Sequence, residues 1–505
     1  MTCQALRLVA AGLAALVLWS GATLLHAHDS GMGLVRYNPD GSLDAGFGGG
    51  GVVAERTVQG GLSPEAAVIQ TDGKIVLAGT TSDLATAGVG FGLVRYNSDG
   101  TLDSRFGTGG RVLTRIGVAT AEAHALALQS DGCLLVAGSG FVGPSTTSNF
   151  GLARYTQDGS LDQAFGSGGG AVLTAVAGGG AEARAIALQP DGRIVLAGTT
   201  FGSGTTNDAL ALVRYNADGS LDSNFGSGGS VTTAFDIGGT AAGSGPFRAA
   251  AVLIQPDGKL VAVGTLGGHL GAFALARYLG TGDLDPVFGV GGRVITQREA
   301  NTQAYAAALQ PDGMIVVAGG VGTGTDSVAF ALSRYAANGD LDRRFGSGGL
   351  VATPFDGGGS GAHAVTVEAD GKIVAIGAGY APAAPAPLAS SPQGAVNGGF
   401  AAARYLPNGA IDTSFGKDGF ALTTVGDAGS LPSALASQPD GKLVASGVTY
   451  FLVPGPTTDN RLTINPLFVA VLAGLVILAG AVLVRWRRSH RLRSAGSQTG
   501  PAPGA

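Results

Sequence analysis

The chain has 505 residues, 89 of them glycine and only 13% charged, with a formal net charge of −5. Two cysteines exclude a disulfide-rich scaffold. An acidic balance, without basic clusters or aromatic-basic strips before residue 485, excludes a nucleic-acid surface there.

Residues 1–27 read as a secretory signal peptide. Arg7 supplies a short positive region, 8–19 is an apolar run of suitable length, and small residues follow at Ser20, Gly21 and Ala22. Cys3 precedes the apolar run and so does not fit a lipoprotein cleavage site.

From residue 34 the chain repeats itself with a period of 57 to 70 residues, which must be read before any local feature. An arginine-tyrosine pair recurs at Arg36, Arg95, Arg154, Arg214, Arg277, Arg334 and Arg404. An aspartate follows each arginine by eight residues: Asp44, Asp103, Asp162, Asp222, Asp285, Asp342 and Asp412. A Phe-Gly pair follows each aspartate by three. The run before the turn is apolar and β-branched, and Asn-Pro-Asp-Gly is turn chemistry, so a hairpin with a three-residue loop is expected. That loop sets Arg36 opposite Asp44, and the same register in every copy makes these seven pairs structural. A catalytic role would need one copy to differ.

A second hairpin recurs beside the first, as in Gln70-Thr71-Asp72-Gly73 followed by Lys-Ile-Val-Leu-Ala-Gly. Its second strand is apolar on both faces, which suits a strand sandwiched between sheets. Four short strands per period with glycine-rich turns describe the blades of a β-propeller. The chain opens on an arginine-tyrosine half (34–53) and closes on the other half (432–450), with six full units between. Pairing the two halves gives an all-β, seven-bladed propeller of four-stranded blades. The alternative is six blades with unpaired ends, which would expose two apolar edges.

The alternation of Arg-Tyr-Asn-Pro-Asp-Gly-Ser-Leu-Asp with Gln-Pro-Asp-Gly-Lys-Ile-Val resembles the delta-60 repeat of bacterial propeller-like surface proteins. It is also similar to NHL-type and lactonase-type propellers. The resemblance implies a secreted or surface protein and brings no family catalytic residues.

Beyond the propeller (28–450), a polar linker (451–463) leads to 464–484, which lacks charge and is long enough to span a bilayer. Five arginines follow in 485–505, so a transmembrane helix with a basic cytoplasmic tail is expected. Without these arginines and Arg7 the remainder holds 24 basic and 35 acidic residues, a net of −11.

The expected function is a membrane-anchored, single-pass, extracytoplasmic binding or scaffolding module of the bacterial envelope. Its partners would be the membrane and an envelope protein or surface ligand, with no cofactor. The alternative is a lactonase-like metal-dependent hydrolase or lyase with its site in the central channel; a passive spacer is the third reading. The position five before the recurrent glutamine, or its equivalent, varies while its surroundings repeat. It is occupied by Glu65, His124, Arg184, Ala250, Tyr305, His363 and Ser433. In a propeller the first strand of each blade lines the channel, so these residues, alanine aside, are the candidate ligand-binding side chains at its mouth. Cys133 stands where other copies carry a lysine, arginine or methionine and reads as an ordinary strand cysteine.

Overall fold

The computed structural model describes residues 28–452, apart from 57–60, 84–87, 118–119, 143–146, 177–178, 202–207, 236–245, 268–270, 298–301, 323–327, 356–360 and 381–397. The described residues form seven antiparallel sheets of four strands each. In blade 1, Leu62–Ile69, Ile75–Asp83, Gly88–Tyr96 and Arg111–Thr114 pair in chain order. Blades 2 to 6 repeat this plan, and the first strands of successive blades pack against one another in a closed ring around the channel.

Blade 7 is assembled from both ends of the propeller. Ser430–Ser437 and Leu443–Leu452 are joined by His28–Tyr37 and Val52–Arg56. The seam runs antiparallel from His28 opposite Leu452 to Tyr37 opposite Leu443. Seven blades therefore close the ring, and no apolar edge is left at the junction.

The turns use their residues as the chemistry requires. Asn38 N–H donates to the Ser42 carbonyl at 2.8 Å and Gly41 N–H to the Asn38 carbonyl at 2.9 Å, with Gly41 at φ 84°. The Asp40 carboxylate accepts both the N–H and the hydroxyl of Ser42. The fourth strand lies elsewhere than the simple hairpin suggests. Leu43 makes only a single bridge to Tyr37, and the outer strand begins after the Phe-Gly loop, at Val52. The reason is local: Asp44 turns inward to Arg36, its Oδ1 accepts the Gly46 N–H, and its carbonyl accepts the Phe47 N–H, so the backbone curls there.

The arginine-tyrosine pair is the clasp between blades. Adjacent residues of a strand point to opposite faces, so the two side chains reach opposite neighbours. In blade 3, Arg214 Nε donates to Asp222 at 2.8 Å and its NH1 donates forward to the Gly280 carbonyl of blade 4 at 2.7 Å. Tyr215 donates backward to Thr174 of blade 2 at 2.7 Å. The guanidinium also lies 4.4 Å from the centre of the buried Phe225 ring. The same forward contact recurs from Arg95 to Gln157, and from Arg404 to Pro39 across the seam.

Blade 2 departs from the pattern. Arg154 stands 3.4 Å from Asp162, and its NH2 donates instead to Asp131 at 2.7 Å. The neighbouring residue is Cys133, where Arg193, Lys259, Lys372 and Lys442 in other blades place a cation 3.1–3.5 Å from the buried aspartate. Blade 5, with Met314 at the same place, keeps Arg334 on Asp342, so the shift of Arg154 toward the exposed turn carboxylate is particular to blade 2.

The expected membrane anchorage has to be corrected. All secondary structure among the described residues is strand, none longer than ten residues, and no helix there is long and apolar enough to cross a membrane. The segment 464–484 and the tail 485–505 lie outside the described residues, as does 1–27. Among the described residues the architecture is the propeller, closing at Leu452, and the single-pass topology, cytoplasmic C-terminus and membrane partner are withdrawn.

Candidate functional site: the mouth of the central channel

The seven variable positions line one cavity of about 610 Å³. A bulge in the innermost strands aims them there. In Ala121–Leu128 the ladder pairs Ala123 with Gly138 and Ala125 with Ala137, leaving His124 unpaired. Glu65, Arg184, Ala250, Tyr305 and Ser433 are skipped in the same way in their own blades. In blade 6 the strand begins at Ala364, and His363 stands just before it, its N–H donating to the Ile376 carbonyl at 2.7 Å. An extra residue in one strand of a pair leaves the ladder and re-aims its side chain.

The glycine that ends each Ala-Gly pair makes room for this bulge. A Cβ on Gly198 would stand 2.0 Å from the Glu182 carbonyl oxygen, and one on Gly138 would stand 1.9 Å from that of Glu122. A glycine inside an apolar strand marks such a close approach. This was the available sequence signal for the bulge, and also for residues that the variable-position rule missed. Glu182, Arg248 and Gln303, two places before the bulged residue, line the same cavity.

Around the ring, blades 1 to 3 contribute a charged arc. Arg184 Nε donates to Glu182 at 2.7 Å. The Glu65 side chain is reachable from the channel but walled by protein; burial raises its carboxyl pKa, opposed by the charge of Arg184 and reinforced by that of Glu122. His124 lies between them with its side chain 8% exposed, and neither ring nitrogen has a hydrogen-bond partner. The nearest carboxylate, that of Glu122, is 3.8 Å from Nε2, too far for a hydrogen bond. Burial, and then the charge of Arg184, pulls the His124 pKa down to about 3, so the imidazole is neutral at pH 7.

Blades 5 and 6 form an aromatic arc. Tyr305 and His363 stack with ring centres 4.6 Å apart and planes 9° from parallel. The Tyr305 hydroxyl donates to Gln303 at 2.7 Å, and burial raises its pKa while lowering that of His363. Small residues separate the arcs: Ala250 in blade 4 and Ser433 in blade 7. The Ser433 hydroxyl is directed to the Pro64 carbonyl of blade 1, so it serves the blade junction.

The metal-dependent hydrolase or lyase reading has to be corrected. Among the described residues no group of three or more His, Cys, Asp or Glu side chains could hold a metal ion. The carboxylates of the mouth are interleaved with guanidinium groups, and Glu182 is already paired with Arg184.

The chain is similar to a β-propeller domain of unknown function (DUF5122), whose model matches 29–47, 70–106, 129–165, 189–225, 255–288 and 310–345. Each of the five longer matches begins at or beside the turn glutamine and ends near the Phe-Gly pair. All the innermost strands and all seven variable positions thus lie outside the matched segments. No curated protein matches the chain. Among solved structures, a protein of unknown function from Dyadobacter fermentans is 13% identical over 70% of this chain and 95% of its own, with a TM-score of 0.40. An α-L-arabinofuranosidase from Fusarium graminearum is 13% identical over 70% of this chain and 94% of its own, with a TM-score of 0.38. Likenesses at this level carry nothing about function.

Proposed function

We propose that this chain is an exported propeller of the delta-60 kind that binds a small ligand at the channel mouth. The observation that carries the reading is His124, a buried imidazole with both nitrogens unpartnered, aimed by a bulge into a cavity. Leaving a buried polar group unsatisfied costs about 1–3 kcal/mol, and such a group calls for a partner. A cavity of about 610 Å³ falls within the 300–1,000 Å³ or so of small-molecule sites. Export rests on the signal-like pattern of 1–27.

The test is thermal melting of the full chain against a defined panel of sugars, uronic acids, amino acids and polyamines. The comparison is a variant carrying serine at His124, Arg184 and His363. At least one class should raise the melting temperature of the parent and leave the variant unmoved. A panel that shifts neither protein, or both equally, would refute the channel as the site.

A further inference from the structure

Resting on the channel-mouth reading, we propose that the ligand is neutral and polyhydroxylated, a short saccharide lying across the mouth from the charged arc to the aromatic one. The charge pattern excludes the simpler classes. An anion entering the mouth meets the carboxylates of Glu65 and Glu182, and a cation meets the guanidinium groups of Arg184 and Arg248. Either ligand would leave part of the arc facing a like charge in a partly dehydrated space, where such contacts are costly.

A hydroxyl group avoids this conflict because it is both donor and acceptor. It can donate to Glu65 or Glu182 and accept from Arg248. A neutral imidazole is likewise one donor and one acceptor, so His124 matches a hydroxyl, as donor or acceptor, without changing its charge. Both of its nitrogens are free for this purpose.

The opposite arc supplies the second half of the recognition. Tyr305 is held from two sides, by its hydrogen bond to Gln303 and by the His363 ring stacked on it. A fixed aromatic ring is an apolar platform for the C–H face of a sugar. The small side chains of Ala250 and Ser433 leave the space between the arcs open. No tryptophan takes part, because both tryptophans lie outside the propeller.

Isothermal titration of the full chain should use three probe sets: neutral mono- to trisaccharides, uronic acids, and amino sugars with polyamines. Neutral saccharides should bind at least tenfold more tightly than their uronic acid or amino counterparts. His124→Ala and Tyr305→Ala should each weaken that binding tenfold or more, while Tyr305→Phe leaves it within about threefold. Circular dichroism and melting keep a failure to fold distinct from a loss of binding. Preferential binding of acids or amines that the serine variant loses would overturn the saccharide assignment and leave the channel site standing. Saccharide binding that survives the serine variant would overturn both, as would the absence of binding in all three sets.

Discussion

Near the arginine-tyrosine clasps, six of the seven blades place nearly the same atoms at nearly the same distances. At the bulge of the innermost strands, seven blades place six residue types in one register. The difference follows from what each region touches. A clasp must fit the blade before and the blade after, so in a closed ring every copy meets the same geometric demand. A bulged residue faces the channel, and apart from Ser433, whose hydroxyl serves the blade junction, its identity is free to answer to something other than the ring. Blade 2 is the exception, since Arg154 leaves its usual contact for Asp131, beside Cys133.

The largest expected effect breaks the uniform region. Arg214→Ala removes the partner of a 3% exposed aspartate together with a bond to the next blade. The loss should be about 3 kcal/mol, the low end for a broken buried pair, because Arg193 remains 3.2 Å from Asp222. Arg154→Ala should cost clearly less, since that arginine is already displaced from Asp162. Equal losses in chemical denaturation would show that the clasp contacts carry little of the ring's stability.

Breaking the bulge comes next. Gly198→Ala forces a methyl against the Glu182 carbonyl and should destabilise by about 1–3 kcal/mol, as overpacking does. It should also disturb Arg184, whose side chain depends on that bulge for its direction. A variant with parental stability and parental ligand response would mean that the bulge does not set the site.

Acid titration sharpens the comparison. The unfolded chain protonates His124 near the ordinary value of 6.5, whereas the folded chain does so only at about 3. Below pH 6.5 the unfolded state therefore binds the extra proton, and stability falls as pH drops toward 3, by at most about 1.4 kcal/mol per pH unit. Buried His363 acts in the same direction, and Glu65, with its raised pKa, opposes them near its own titration. The clasp aspartates act lower: Asp412, pulled down to about 2, contributes stability that is lost only as pH falls from about 4 toward 2. His124→Leu should flatten the profile between pH 6.5 and 4.5 and leave the lower limb in place. An unchanged upper limb would place the acid sensitivity elsewhere.

The smallest effect repairs the exception. Cys133→Lys restores the cation found in blades 3, 4, 6 and 7, and should stabilise by less than about 1 kcal/mol, as expected of a partly exposed pair. The gain should vanish in an Arg154→Ala background if it acts by returning that arginine to Asp162.

Periodicity alone determined the blade number, the four-stranded unit and the seam, because strand alternation and turn chemistry are local and were repeated until they left one closed solution. The register of Arg36 with Asp44 was equally local, set by a three-residue loop. The position of the fourth strand is also set locally but was not legible in the turn pattern, since the curl after Asp44 depends on where its carboxylate goes. The forward reach of each arginine and the backward reach of each tyrosine required the neighbouring blade to be in place. The site shows the same division. Variation at one register singled out His124, Arg184 and Tyr305, but the bulge that aims them appears only when the strand is laid against its glycine-bearing partner. The bare nitrogens of His124 and the Tyr305–His363 stack belong to tertiary structure alone, because they depend on residues that the ring, and not the chain, makes neighbours, whereas Arg184 meets Glu182 two places back on its own strand.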